Sequence, residues 1–442
     1  MNGPKTPSSS QAIGPTAAGA PSDVTVAVIG GGQAGLSASW FLKERGIDHV
    51  VIERHRVGHQ WREHRWDSFC LVTPNWQCRL PGHPYEGDDP DGFMNKEQLL
   101  AYIESYAALV NPPLLEGVTV QRLSLGQDRR FLIDTTAGGI GAAHVVVATG
   151  PYHLPTIPPL AADLPSRWMS IHSSEYRRPS QLPPGEVLVV GSGQSGCQIA
   201  EDLHLAGRKV HLAVGGAPRV ARRYRGRDVV AWLEQMGYYK TTVESHRLRE
   251  GAQRSVNHYV TGRDGGHDID LRAFATEGMQ LYGRLKALEN GVLHFADDLA
   301  ERLDYADSVS ESIKDSIDAF IEAAGIDAPT EARYTPVWTP PPGARALDSE
   351  RSGISAVIWA TGFRRDYSWI DLPEASEALF DSFGNVRHSR GATAISGLYF
   401  LGLPWLYTWG SGRLSGVGAD AEHICSLIAA HHRTKSDWPE SA

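Results

Sequence analysis

The chain has only four cysteines, Cys70, Cys78, Cys197 and Cys425, with no CxxC pair and no cluster at metal-ligand spacing. A disulfide framework and a zinc site are therefore not expected, and the four read as reduced, mostly buried thiols. Basic charge is not in excess. The 42 Lys and Arg stand against 51 Asp and Glu, a net charge of −9, so the broad cationic face that a nucleic-acid partner requires is missing. Long apolar runs are lacking too. The stretch "GLYFLGLPWLYTWG" at 397–410 is broken by Gly402 and Pro404 and is too short to span a bilayer, so it reads as a buried strand with its exit loop, and no membrane partner is expected. Residues 1–22 are small, polar and rich in Pro and Gly, without an apolar core. They read as a disordered tail rather than a secretion signal, and a cytoplasmic location is expected. No catalytic triad or carboxylate pair stands out.

What is present is a pair of glycine fingerprints. In "VTVAVIGGGQAGLSASWFLKERGIDHVVIER" an apolar run enters Gly30-x-Gly32-x-x-Gly35, continues as a helical stretch and ends in a second apolar run at Glu53. Gly30 allows the tight turn, Gly32 lets backbone amides approach a pyrophosphate, and Gly35 lets the helix pack closely on the sheet. Glu53, 18 residues beyond Gly35, sits where a carboxylate accepts both ribose hydroxyls. The second copy, "VLVVGSGQSGCQIAEDLHLAGRKVHLAV", superposes on the first without a gap through Gly191, Gly193 and Gly196. Gln33 and Ala34 in the first turn, and Ser192, Gln194 and Ser195 in the second, join the candidate cofactor contacts.

In that superposition Val214 falls on Glu53, and arginines follow at 219, 222 and 223. A carboxylate at 214 would repel a 2′-phosphate, whereas Arg219, Arg222 and Arg223 could pair with one, so this unit is expected to prefer NADPH to NADH. A solvated basic loop is the other reading, because Arg225 and Arg227 extend the run and five arginines cannot all reach one phosphate. Two further apolar runs end alike, at Ala148-Thr149-Gly150 and at Ala360-Thr361-Gly362, where a strand returning beside a nucleotide needs a small residue.

At 442 residues the chain exceeds one ordinary core. The order of parts predicts an α/β protein with two dinucleotide-binding, Rossmann-like domains, the second inserted into a discontinuous first. Residues 23–155 and 351–442 form the first domain and 156–350 the second, with a helical section at about 225–330. In "ESIKDSIDAFIEAAG", Ile313, Ile317, Phe320 and Ile321 share one helical face, which indicates core packing.

With both fingerprints, both Ala-Thr-Gly junctions and the segment "GHQWREHRWDSFCLVTPNW" at 58–76, the chain resembles the class B flavin-dependent monooxygenases, the superfamily of FMO-like N- and S-oxygenases and Baeyer-Villiger enzymes. The segment is similar to that family's GGxW stretch, although His59 replaces its second glycine. Of the family fingerprint FxGxxxHxxxY, His172 and Tyr176 are present, while Ser166 and Trp168 stand for Phe and Gly. The resemblance implies FAD in the first unit, NADPH in the second, and Gln60, Trp61 and Arg62 beside the flavin. It also implies Asn75 as a side-chain amide near the oxygen-bearing flavin, with a turn role after Pro74 as the alternative. Arg62 could support the charge of the reduced flavin or form a surface ion pair.

The expected activity is NADPH reduction of FAD, reaction with O2 and oxygenation of a small amine nitrogen or sulfide sulfur. Baeyer-Villiger insertion, an NADPH oxidase or electron-transfer flavoprotein, and an FAD- and NADPH-binding redox sensor are the alternatives. The lack of a dithiol disfavours disulfide-reductase chemistry. Trp405, Tyr407 and Trp409 would share a face if their segment were extended. His258, His267 and Asp268 form a polar loop without an assigned role. The motifs are compatible with a homo-oligomer and do not fix one.

Overall fold

The computed structural model describes residues 22–246, 257–343 and 345–436. Its first part runs β1 (Asp23–Ile29), α1 (Gln33–Glu44), β2 (His49–Glu53), α2 (His59–Glu63), α3 (Lys96–Val110), β3 (Leu114–Glu116), β4 (Val120–Leu125), β5 (Phe131–Thr135) and β6 (Gly138–Val147). The second part comprises β7 (Met169–His172), β8 (Glu186–Val190), α4 (Gln194–Leu205), β9 (Val210–Ala213), α5 (Val229–Gln235), α6 (Leu271–Thr276), β10 (Gln280–Tyr282), β11 (Leu285–Glu289), β12 (Val292–Phe295), α7 (Leu299–Ala324), β13 (Ala346–Asp348) and β14 (Ile354–Trp359). The chain returns with β15 (Leu398–Phe400) and α8 (Val417–Ser436).

The first sheet has the order β3-β2-β1-β6-β5-β4. β1 is parallel to both β2 and β6, and its last four residues are buried, as a strand covered by helices on both faces requires. β6 changes partner along one edge: residues 138–142 pair with antiparallel β5 and residues 145–147 with parallel β15. β5 alternates buried and exposed residues, the pattern of a strand with one wet face.

The second sheet, β7-β14-β8-β9-β10, is wholly parallel. Its membership corrects the expected boundary at 351. β14 lies between β7 and β8 of the inserted domain, so the return to the first domain falls after Gly362, where Phe363–Arg364 pair with Leu154–Pro155. An apolar run marks a buried strand but carries no sign of which sheet receives it. The section at 225–330 is likewise only partly helical. It contains β10 and two strands of the antiparallel set β11-β12-β13 beside α5, α6 and the 26-residue α7. Ile317 and Ile321 of α7 are buried and Ile313 and Phe320 pack against their cluster, as the helical spacing indicated.

Candidate functional site: two glycine cradles and the cleft beside them

In the first cradle Gly30 adopts φ +112°, and a Cβ there would press on the Ala148 carbonyl oxygen at 2.5 Å. A Cβ on Gly35 would collide with the Gly30 carbonyl. Gly32 differs: an added methyl group meets no atom within 4 Å, so the space above it is open. Gly32 also caps α1 without a side-chain hydrogen bond, which leaves the first amides of the helix facing that space. Glu53 stands at the end of β2, its carboxylate accepting from the amides of Gly31 (2.7 Å) and His55 (2.9 Å). Thr149 shares a hydrogen bond with His153 (3.1 Å), and Gly150 at φ +73° is again open. Gln33 Nε2 donates to the Gly412 carbonyl (3.5 Å) and Ala34 packs under Gly402, so the C-terminal segment closes over the start of α1.

The second cradle repeats this construction. Gly191 has φ +102°, and its Cβ would press on the Ala360 carbonyl oxygen at 2.5 Å. A Cβ on Gly196 would collide with the Gly191 carbonyl, whereas Gly193 and Gly362 are open. Ser192 Oγ accepts from the Gly215 amide (2.9 Å), Gln194 Nε2 donates to the Val260 carbonyl (2.5 Å), Ser195 is exposed, and Thr361 Oγ1 donates to the Thr156 carbonyl. His172 Nε2 donates to the Gly362 carbonyl (3.0 Å), which ties the fingerprint histidine to this cradle.

The arginines after β9 do not gather at its end, which corrects their expected role at a 2′-phosphate. Arg219 is buried, bonded to Asp307 (2.6 Å) and stacked on Tyr334. Arg222 is also buried and donates to Asp228 (2.7 Å) and to the Val72 carbonyl of the first domain (2.7 Å). Both are fixed by interior partners. Arg223 lies exposed on a short hairpin whose neighbour Arg225 reaches Asp318. His267 and Asp268 also have structural partners, Glu201 (2.6 Å) and the Arg222 amide (2.5 Å), while burial lowers the pKa of His258.

The segment at 58–76 packs against the core through Trp61. Trp61 packs near Phe69, and the Arg65 guanidinium lies 4.8 Å above the Trp61 ring. Gln60 is exposed. Arg62 points away, to Glu104 on α3 (2.5 Å), which matches the ion-pair reading. Asn75 is buried and braces the loop at 89–94, donating to the Asp89 carbonyl (2.9 Å) and accepting from the Met94 amide (2.8 Å). That is the local, turn-type role. Two residues on, Gln77 is 1% exposed, and neither its Nε2 nor its Oε1 has a partner among the described residues.

Two sequestered cations were missed from the sequence, Arg65 and Arg413. Burial lowers the pKa of Arg65, and Tyr152 is the ionisable group that opposes the shift. Burial likewise brings Arg413 down to about 10, with Tyr152, Tyr239 and Tyr238 opposing. Arg413 donates to the Trp409 carbonyl (2.6 Å) and to Asn257 (2.8 Å) and stacks on the Trp409 ring at 3.5 Å. Neither arginine has a carboxylate partner among the described residues, an expensive arrangement for a sequestered charge unless something anionic faces it. Tyr239 packs on Trp409 (4.5 Å) and His246 on Trp405 (4.8 Å), forming a seam between the domains. The segment at 405–409 is a series of turns and bends, with Trp405 at φ +52°, so its aromatics do not share one face; Tyr407 sits under Arg390 instead.

The comparisons with known proteins agree with this geometry. The model of the pyridine nucleotide-disulphide oxidoreductase family matches residues 27–248. The chain belongs to that family, and its fold is that of the flavin-dependent monooxygenases. A CzcO-like oxidoreductase of Geobacillus kaustophilus is 32% identical over 415 residues, covering 92% of this chain and 99% of that protein. The flavin-containing monooxygenase of Stenotrophomonas maltophilia superposes with a TM-score of 0.63 at 22% identity, over 93% of this chain and all of that one. The indole-3-pyruvate monooxygenase YUCCA1 of Oryza sativa is 31% identical over 199 residues, 44% of this chain and 49% of its own length. Despite the family's title, the four cysteines here are unpaired, and burial pushes the Cys78 and Cys425 thiols up to about 12. No group of three or more potential metal ligands occurs among the described residues, and no helix there is long and apolar enough to cross a membrane.

Proposed function

We propose that the protein is an NADPH-dependent flavin monooxygenase with FAD in the first cradle and NADPH in the second. The observation that carries this reading is the doubled construction: in each cradle the outer glycines are held closed by backbone, while the middle glycine and the glycine of the Ala-Thr-Gly junction open onto unfilled space. Three groups fit a flavin: the buried Gln77 amide, which requires hydrogen bonds and has none among the described residues, and the Arg65 and Arg413 guanidiniums, which have no carboxylate partner there and suit the charge of a reduced ring.

When bound, FAD reduced by NADPH supplies activation of O2 and transfer of one oxygen atom to the substrate, the second leaving as water. The chain's task is to bind, orient and keep water out. Trp61 and Arg65 form one wall, Gln77 offers an amide donor and acceptor, and the Tyr239–Trp409 and His246–Trp405 contacts close the seam between the domains. The role expected of Arg62 passes to Arg65.

The substrate is a small nucleophile, an amine nitrogen or a sulfide sulfur. One observation favours a second reading, oxygenation of a 2-oxo acid: Arg65 and Arg413 could accept a carboxylate, and the rice relative is named for activity on indole-3-pyruvate. FAD-loaded protein mixed with NADPH and screened against amines, sulfides and 2-oxo acids tests both, with NADPH consumption and peroxide measured together. Substrate-stimulated consumption with little peroxide is expected. Stoichiometric peroxide with every compound would reject oxygenation.

A further inference from the structure

With Arg219 and Arg222 committed to interior partners, the end of β9 still needs a residue to meet the ribose of the second nucleotide. In a dinucleotide-binding unit that ribose lies beyond the end of the second strand, where an acid selects a 2′-hydroxyl and an arginine accommodates a 2′-phosphate. Here β9 is followed by Val214, which is buried and donates its amide to Tyr282 (2.9 Å), and then by Gly215 and Gly216. The space over Gly216 is bounded by a side chain from far along the chain: a Cβ built there would lie 3.3 Å from Nη1 of Arg302, in the first turns of α7.

The geometry of Arg302 suits an oxyanion. Its Nε (2.8 Å) and Nη2 (2.7 Å) both bond to one oxygen of Asp298, one turn earlier, which fixes the plane of the guanidinium. Nη1, the nitrogen nearest Gly216, makes no hydrogen bond among the described residues, so its two protons remain available. The other Asp298 oxygen accepts from the Arg284 amide (3.0 Å), so the aspartate is held by the protein from both sides. We propose that Arg302 is the residue that reads the ribose 2′ position of the second nucleotide, selecting the 2′-phosphorylated coenzyme through Nη1 over Gly216. This inference rests on the assignment of NADPH to the second cradle and names the residue that makes the assignment specific.

The test uses FAD-loaded protein and two probes, 2′,5′-ADP and 5′-ADP, with affinities measured by calorimetry. Wild-type protein is expected to bind 2′,5′-ADP more tightly. R302A and R302Q are expected to weaken 2′,5′-ADP by about tenfold or more, the worth of one charge-assisted contact, while 5′-ADP changes little. Arg223→Ala, on the exposed hairpin, is expected to leave both unchanged. R302Q can still donate to Asp298, and unaltered flavin content with an unaltered melting temperature separates lost recognition from lost folding. Wild-type preference for 2′,5′-ADP that survives both substitutions overturns the role of Arg302 alone. Wild-type protein that binds neither probe overturns the NADPH assignment and this inference with it.

Discussion

At the scale of single residues, the two kinds of glycine in each cradle predict opposite losses. Gly32→Ala adds a methyl group where the protein has room, so the variant is expected to melt as wild type does while losing the FAD proposed for this cradle, read from its visible absorbance. Gly35→Ala drives a methyl group into the Gly30 carbonyl, so a lowered melting temperature is expected before any question of cofactor. Arg65→Met removes a sequestered cation that has no carboxylate partner among the described residues. With FAD bound, its reduction potential is expected to become more negative, whereas Arg62→Met, which only frees Glu104, is expected to leave it unchanged. Spectrophotometric titration against a reference dye distinguishes the two. Glycine spacing made the cradles legible in the sequence, because positive φ and close approach leave few alternatives to glycine. Arg65, Gln77 and Arg302 were not legible. Their significance lies in missing partners or in distant neighbours, neither of which a local motif records.

Among elements, the connection between domains is a chain of side-chain bonds around Asp202 of α4. One carboxylate oxygen accepts from Tyr176 (2.7 Å), and the other from Ser68 of the first domain (2.5 Å) and from Arg263 (3.0 Å). Tyr176 is fully buried, so the tyrosine of the family fingerprint fixes, from within the second domain, the carboxylate that Ser68 of the first domain reaches. Tyr176→Phe leaves that oxygen of Asp202 without its donor, and a loss of about 1–3 kcal/mol is expected in denaturant unfolding. Sequence pattern identified the strands here and misassigned one of them. β14 is apolar on both faces, as any inner strand of a parallel sheet is, and only its hydrogen-bonded neighbours reveal its domain. The antiparallel set β11-β12-β13 was missed for a related reason, its third strand standing far along the chain from its hairpin.

For the molecule as a whole, stability should depend on pH through its buried and half-buried histidines. Burial lowers the pKa of His49, His153, His172, His211 and His258 below the ordinary 6.5. Below that value the unfolded chain binds more protons at these five positions than the folded one, so stability is complete above about pH 7 and declines as pH falls through 6.5 toward the folded values. Glu201 and Asp420, whose carboxyls burial pushes up, oppose the trend, but His59, His64 and His423 are lowered as well and add to it. Urea midpoints measured from about pH 7.5 to about pH 5.5 should therefore decrease steadily; a flat profile would contradict these burial-driven shifts. The nesting of one domain inside the other was legible because the two fingerprints and the two Ala-Thr-Gly ends occur in alternating order.

The partner change along β6 has a consequence for biosynthesis. Among the described residues, the edge of its far half away from β1 is completed by β15, just as β7 and β8 are joined by β14, so neither sheet can close until most of the chain has left the ribosome. Flavin capture is then a late event in the life of the nascent polypeptide, and a chain stalled before residue 354 should emerge colourless and in need of a chaperone.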